Sequence, residues 1–266
     1  MKRVKLACCN FLGVSELRRF ALENGFAGIE WTFTPEDLPW SPAEQSSLLR
    51  SISKLRPLEV RYHCAFSRVD LGDEDREKAE NAMSIFQHAC RLVSELEGHH
   101  VTLHVGLGRD STMNLSWDRT VRRLTELVRF ADSLGVRICL ENLAWGWTSR
   151  PELFEKLIRK SGCWATLDIG HLRVSPSVTS QHYEIEDFVI PHPERFLGAH
   201  IYHEEDMRGH IPAGTLLDMK RRLDLLGSLP SCDWWVLELR EKSGLLSTLR
   251  VVREYLELEG NGNPGI

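Results

Sequence analysis

Seven ionisable side chains interrupt apolar runs along this chain. They are Glu30 in "GIEW", His63 in "VRYHCAF", His104 in "VTLHVG", Glu141 in "ICLENL", Asp168 in "ATLDIGH", His200 in "GAHIYH" and Glu238 in "WWVLELRE". An ionised carboxylate at the end of a buried run costs several kcal/mol unless something compensates it. One such histidine alone is most simply a satisfied core residue, and a lone carboxylate a rim charge, Glu238 with Arg240 or Lys242, or Glu141 with Arg137. Seven together need a common partner. A divalent metal ion neutralises several carboxylates at once and accepts neutral imidazoles as ligands. The residue types therefore point to a metal shared by Glu141, Asp168, His200 and Glu238.

A shared ion requires one end of one architecture to gather these residues. Strand-like runs fall at residues 4–11, 26–33, 58–66, 101–105, 136–143, 163–167, 197–202 and 234–239. Amphipathic stretches at 15–24, 41–55, 73–96, 115–134, 151–160, 215–226 and 244–258 separate them, with a weaker one at 185–196 after a polar loop. Ser15 is the expected N-cap of the first helix and Gly25 its stop, and Pro151 opens another helix. Eight strand–helix repeats favour a parallel sheet with right-handed crossovers. They predict a single (β/α)8 TIM barrel over residues 1–259, with an open doubly wound sheet as the rival and residues 260–266 as a disordered tail. In such a barrel the C-terminal strand ends form the functional mouth, and there the seven residues fall.

The 266 residues are 42% hydrophobic and 27% charged, with a formal net charge of -5, ordinary for a globular protein. The acidic balance gives no global attraction to nucleic acid. No apolar run is long enough to span a bilayer. The basic start followed by "LACC" suggests a signal sequence, but Asn10, Gly13 and the charged "SELRRF" interrupt it, so a cytoplasmic first strand is expected. Seven cysteines without a paired C-x-x-C argue against a zinc knuckle or disulfide framework and for reduced thiols. No feature of the sequence specifies an oligomeric state.

The motifs "HCAF", "LHVG", "LENL", "LDIGH", "AHIYH", "GHIPAG" and "LELRE", in this order on successive strands, resemble the xylose isomerase-like barrel superfamily. The likeness is to its sugar-phosphate isomerases and epimerases, a group related to endonuclease IV. It implies one divalent ion (manganese, zinc, cobalt, magnesium or iron) on Glu141, Asp168, His200 and Glu238, with the two glutamates as acid and base. In endonuclease IV-like members the same rim binds three zinc ions, and the matches for the extra ligands are His63, His104, His171 and His210. That pattern has an aspartate two residues before the last histidine, where this chain has Arg208. Arg208 is accordingly expected to clamp a substrate hydroxyl, carboxylate or phosphate.

The expectation is an isomerase or epimerase of a sugar-like α-hydroxy carbonyl compound, acting through an enediolate. Glu141 and Glu238 would move the proton and His171 would help protonate oxygen. His63, His104, Arg208 and His210 would bind the small-molecule substrate. Trp145 and Trp147 would wall the site or pack at the rim. The alternatives are an endonuclease IV-like phosphodiesterase, with Phe66 stacking in DNA, and other metal chemistry such as a dehydratase or iron oxygenase. The acidic composition and Arg208 count against DNA.

Overall fold

The structure is a computed structural model that describes residues 3–108 and 111–261. In chain order its strands are β1 (Lys5–Cys9), β2 (Gly28–Phe33), β3 (Glu59–Cys64), β4 (His100–Leu103), β5 (Arg137–Glu141), β6 (Trp164–Asp168), β7 (Phe196–Ile201), β8 (Glu204–Asp206), β9 (Gly209–Ile211) and β10 (Trp234–Leu237). All except β8 and β9 are parallel members of one barrel, which closes where β1 pairs with both β2 and β10. This is the expected (β/α)8 barrel, and closure excludes the open sheet. β8 and β9 form an antiparallel hairpin over the mouth that the sequence reading did not anticipate.

The outer helices are α1 (Val14–Glu23), α2 (Pro42–Ser53), α3 (Arg76–Glu95), α4 (Trp117–Ser133) and α5 (Pro151–Ser161). After β6 come the short α6 (Ile169–Val174) and α7 (Pro176–Thr179), and later α8 (Leu216–Ser228) and α9 (Lys242–Asn261). Local chemistry sets their ends. Ser41 and Glu44 form a capping box on α2, and Asp75 and Ser116 cap α3 and α4. Gly162 ends α5 at a φ of 77°, where an L side chain would be strained.

Three expectations are corrected. Gly13, not Ser15, is the N-cap of α1: its carbonyl accepts the Leu17 N–H at 2.8 Å without any side-chain cap. The helix expected over 185–196 is two 3-10 turns, Ile185–Phe188 and Pro193–Arg195. Pro191 and Pro193 lack the N–H groups a continuous helix needs. The polar loop after β6 carries α6 and α7 instead, capped by Asp168 and opened by Pro176. At the other end α9 continues through Gly260 to Asn261, and the rest of the expected tail, 262–266, lies outside the described residues.

The lumen explains how the strands aim their polar ends. Ala7, Trp234 and Val236 pack together apart from the main core between strands and helices. Gly28 makes room for the Trp234 ring, since a Cβ there would lie 2.3 Å from it. Arg61 stacks over the same ring at 4.5 Å. Higher up, Thr102 and Thr166 hydrogen-bond across the barrel at 2.9 Å. Side chains alternate in and out along a strand. The next inward residues after Gly28, Arg61, Thr102, Cys139, Thr166, Gly198 and Val236 are therefore Glu30, His63, His104, Glu141, Asp168, His200 and Glu238. No helix among the described residues is long and apolar enough to cross a membrane. All seven cysteines are buried and free.

Candidate metal centre

Glu141, Asp168, His200 and Glu238 meet at the C-terminal mouth. His200 Nδ1 lies 3.0 Å from Glu141 Oε1, 3.1 Å from Glu238 Oε2 and 3.8 Å from Asp168 Oδ2. Burial alone would lower the His200 pKa, but Glu141, Glu30 and Glu238 hold it well above the usual imidazole range. Asp168 shows the opposite balance. Burial and the Glu141 charge outweigh the attraction of His171 and His200, and its pKa is pushed up to about 6. Asn142 fixes the Asp168 backbone from both sides, donating to its carbonyl at 2.9 Å and accepting its N–H at 2.8 Å. Asp168 Oδ1 then accepts the His171 N–H at 2.7 Å, which starts α6 and brings His171 to the mouth.

A second set adjoins the first and shares Glu141. His63 Nε2, His104 Nε2 and Glu141 Oε2 form a triangle with sides of 3.0, 3.1 and 3.3 Å. Below it Glu30, which the sequence reading left without a role, sets Oε1 2.7 Å from His200 Nε2 and 3.7 Å from His63 Nδ1. Burial lowers the His63 pKa despite these acids.

The third gathering contains a residue the sequence reading missed. Glu205, on β8, places Oε2 3.1 Å from His171 Nε2 and Oε1 3.9 Å from His210 Nε2. His210 stacks on Tyr202 at 3.8 Å. Arg208 is not in this group. Its side chain is 83% exposed and its guanidinium is bound to Asp206 at 2.9 Å. Trp145 stands at the rim, 42% exposed. Trp147 packs edge-on against Trp117. Phe66 is buried against Phe86, so it offers no face to a base.

The donors fit a divalent ion. Asp168 Oδ2, which faces the four-residue set, is buried without an aligned hydrogen-bond partner, a state rare in folded proteins. Tetrahedral metal–ligand bonds of about 2.0–2.1 Å imply ligand separations near ~3.3 Å, close to the 3.0–3.3 Å sides of the His63–His104–Glu141 triangle. Nitrogen and carboxylate donors suit zinc, manganese, cobalt or iron. Asn142 and Glu30 would orient the ligands from behind.

The fold and this histidine–carboxylate mouth define a (β/α)8 barrel with a candidate metal site at its strand ends. The sequence pattern of the xylose isomerase-like TIM barrel family matches residues 18–255, and the chain belongs to that family. An uncharacterized protein of Methanocaldococcus jannaschii is 25% identical over 168 residues, which is 63% of this chain and 71% of that one. Among solved structures, a D-tagatose 3-epimerase-like protein superposes with a TM-score of 0.75 at 17% identity, covering 97% of this chain and 99% of its own. Endonuclease IV from Thermus thermophilus gives 0.66 at 20%, covering 95% and 99%. An L-ribulose 3-epimerase gives 0.67 at 17%, covering 97% and 94%. At these identities the structural likeness speaks for the fold.

Proposed function

We propose that the protein is a divalent-metal-dependent isomerase or epimerase of a small sugar-like α-hydroxy carbonyl compound. The convergence of Glu141, Asp168 and Glu238 on His200 Nδ1 carries this reading. A bound divalent ion would polarise the carbonyl and lower the cost of removing the adjacent proton. Glu141 and Glu238 come from strands three apart around the barrel, so they face a substrate from two sides. One would take the proton from carbon, and the other would deliver to the opposite face a proton that it first receives from solvent. Both are held as carboxylates: the charges and hydrogen bonds of the neighbouring histidines outweigh burial and keep each well below its usual range. Asp168 would help to hold the ion. The epimerases among the structural neighbours favour this substrate class.

The His63–His104–Glu141 triangle supports a second reading, in which this set and the four-residue set would each hold an ion and together promote hydrolysis of a phosphate ester, as the likeness to endonuclease IV suggests. A long anionic duplex is a poor fit. Arg150, Arg173 and Arg208 around the mouth are each bound to a neighbouring carboxylate, and DNA affinity depends on free cations facing phosphates. The test is a panel of ketoses incubated in D2O with manganese, cobalt or zinc and followed by NMR. Deuterium should enter at the carbon next to the carbonyl, and Glu141→Gln and Glu238→Gln should slow this by about 10²–10⁴-fold. Phosphodiester cleavage by the loaded protein with no exchange into any ketose would replace the first reading with the second.

A further inference from the structure

We infer that Asp70, a buried carboxylate outside the metal set, is a positioning residue for substrate: it ties the loops that follow β3, β4 and β5 into one rim and so sets His104 and Trp145 at the mouth. The inference rests on the proposed reaction for one readout only. Asp70 is 6% exposed, and its partners among the described residues are four backbone N–H groups rather than a cation. Oδ1 accepts from Gly72 of its own loop at 2.9 Å. Oδ2 accepts from Gly106, Leu107 and Gly108 at 2.8, 3.1 and 3.4 Å. Three successive N–H groups turned towards one point form an anion-binding concavity. Such a turn needs Gly106 and Gly108, whose φ values of 78° and 64° lie in the left-handed region. Here the chain supplies the anion itself.

The concavity lies between two residues of the mouth. Gly106 comes two residues after His104, which touches both Glu141 and His63. The Gly106 carbonyl accepts the N–H of Trp147, two residues after Trp145, at 3.0 Å. A Cβ at Gly146 would lie 2.6 Å from that carbonyl, so the loops after β4 and β5 meet backbone to backbone. The far end of the β4 loop returns to the same place, because the Ser116 N–H donates to the Gly72 carbonyl at 2.8 Å. An ionised oxygen suits this junction, since hydrogen bonds to a charged acceptor are stronger than those to a neutral one. Loops fixed in advance cost less entropy when a ligand binds. None of the Asp70 bonds goes to Glu141, Asp168, His200 or Glu238, so removing Asp70 should loosen the rim and spare the ion.

The test compares Asp70→Ala and Asp70→Asn with wild type, all loaded with manganese. In the ketose exchange assay Asp70→Ala should raise KM by about 10-fold, the cost of ordering one or two loose side chains on binding. Its kcat and manganese content should stay within about 2-fold of wild type. Asparagine keeps one oxygen for the concavity but turns an NH2 group towards Gly72, so its rise should be smaller. Formate should restore the KM of Asp70→Ala, whereas formamide, of similar size but uncharged, should not; wild type with formate is the control. Without substrate, the amide protons of Gly106, Leu107 and Gly108 should exchange faster in Asp70→Ala. The ring signals of His104 and Trp145 should move in 15N NMR and return with formate. An unchanged KM, a loss of manganese alongside the rise, or equal rescue by formamide overturns the inference. If wild type exchanges no ketose, the proposed reaction falls and the ring signals decide alone: movement that formate reverses supports the role of Asp70, and signals that stay in place overturn it. Should Asp70→Ala fail to fold, Asp70→Asn carries the KM and ring-signal readouts with the same outcomes.

Discussion

Asp168→Asn should make the metal-free protein more stable and the metal-loaded protein less so. The folded structure pushes the Asp168 pKa from 3.8 up to about 6, chiefly by burial, and that balance already contains the pull of His171 and His200. An acid whose pKa is raised by folding costs stability once it ionises. The cost is absent below the unfolded pKa, grows between about pH 4 and pH 6, and is constant above. Roughly two units at 1.36 kcal/mol each amount to about 3 kcal/mol. Asparagine keeps an oxygen to accept the His171 N–H at the start of α6 and carries no charge. The chelator-stripped variant should therefore melt about 6 °C or more above wild type at pH 7, and the two should converge near pH 4. Saturating zinc should reverse the order, because ion binding stabilises in proportion to the logarithm of ligand concentration over Kd, and asparagine is the weaker ligand. Thermal unfolding by circular dichroism across pH 4–8, with and without zinc, is the measurement. A stripped variant that melts below wild type at pH 7, or a difference that does not shrink towards pH 4, would refute the reasoning.

Glu30→Gln should weaken zinc binding at His200 by about 10–100-fold, since the buried carboxylate 2.7 Å from Nε2 favours the tautomer whose Nδ1 lone pair faces the other ligands; competition with a chromophoric chelator measures this, and an unchanged Kd would exclude the role. Arg222→Met should cost about 2–4 kcal/mol in urea unfolding, because this buried guanidinium donates to the Ile169 and His203 carbonyls at 2.8 and 2.5 Å and methionine removes both bonds. A loss under about 1 kcal/mol would mean that water replaces it.

The barrel was legible because its signal repeats: eight apolar runs and the helices between them point to one architecture. The site was legible for the same reason, since each ligand sits at the polar end of an apolar run, as Asp168 does after "ATL". What escaped lies where the rhythm breaks. Glu205 stands in "HEEDMRGH", a polar stretch whose hairpin depends on a turn at Met207 and Arg208 rather than on an apolar pattern. Three acids in a row there gave no means of choosing among them, and the match by position drew attention to Arg208. Glu30 was visible as an interruption in "GIEW", but its nearness to His200 depends on barrel closure, because β2 and β7 are far apart in the chain. Asn142 lies inside "LENL", yet its grip on the Asp168 backbone joins two strands and has no sequence signature.

The alternation of side chains along the strands also explains why the lumen changes character so abruptly. One inward step below the mouth it is filled by the Trp234 ring, the Arg61 guanidinium and the Thr102–Thr166 pair. That floor makes Glu141, Asp168 and Glu238 costly as free charges. In the metal-free state their counterions are protons: His200 is held well above its usual range, and His171 is pushed up to about 10 because Asp168 and Glu205 outweigh the effect of burial. These protonated rings stand where cations are wanted. An ion that binds must displace those protons, so its affinity rises with pH. The buried floor that makes the carboxylates expensive thus makes the mouth selective for cations.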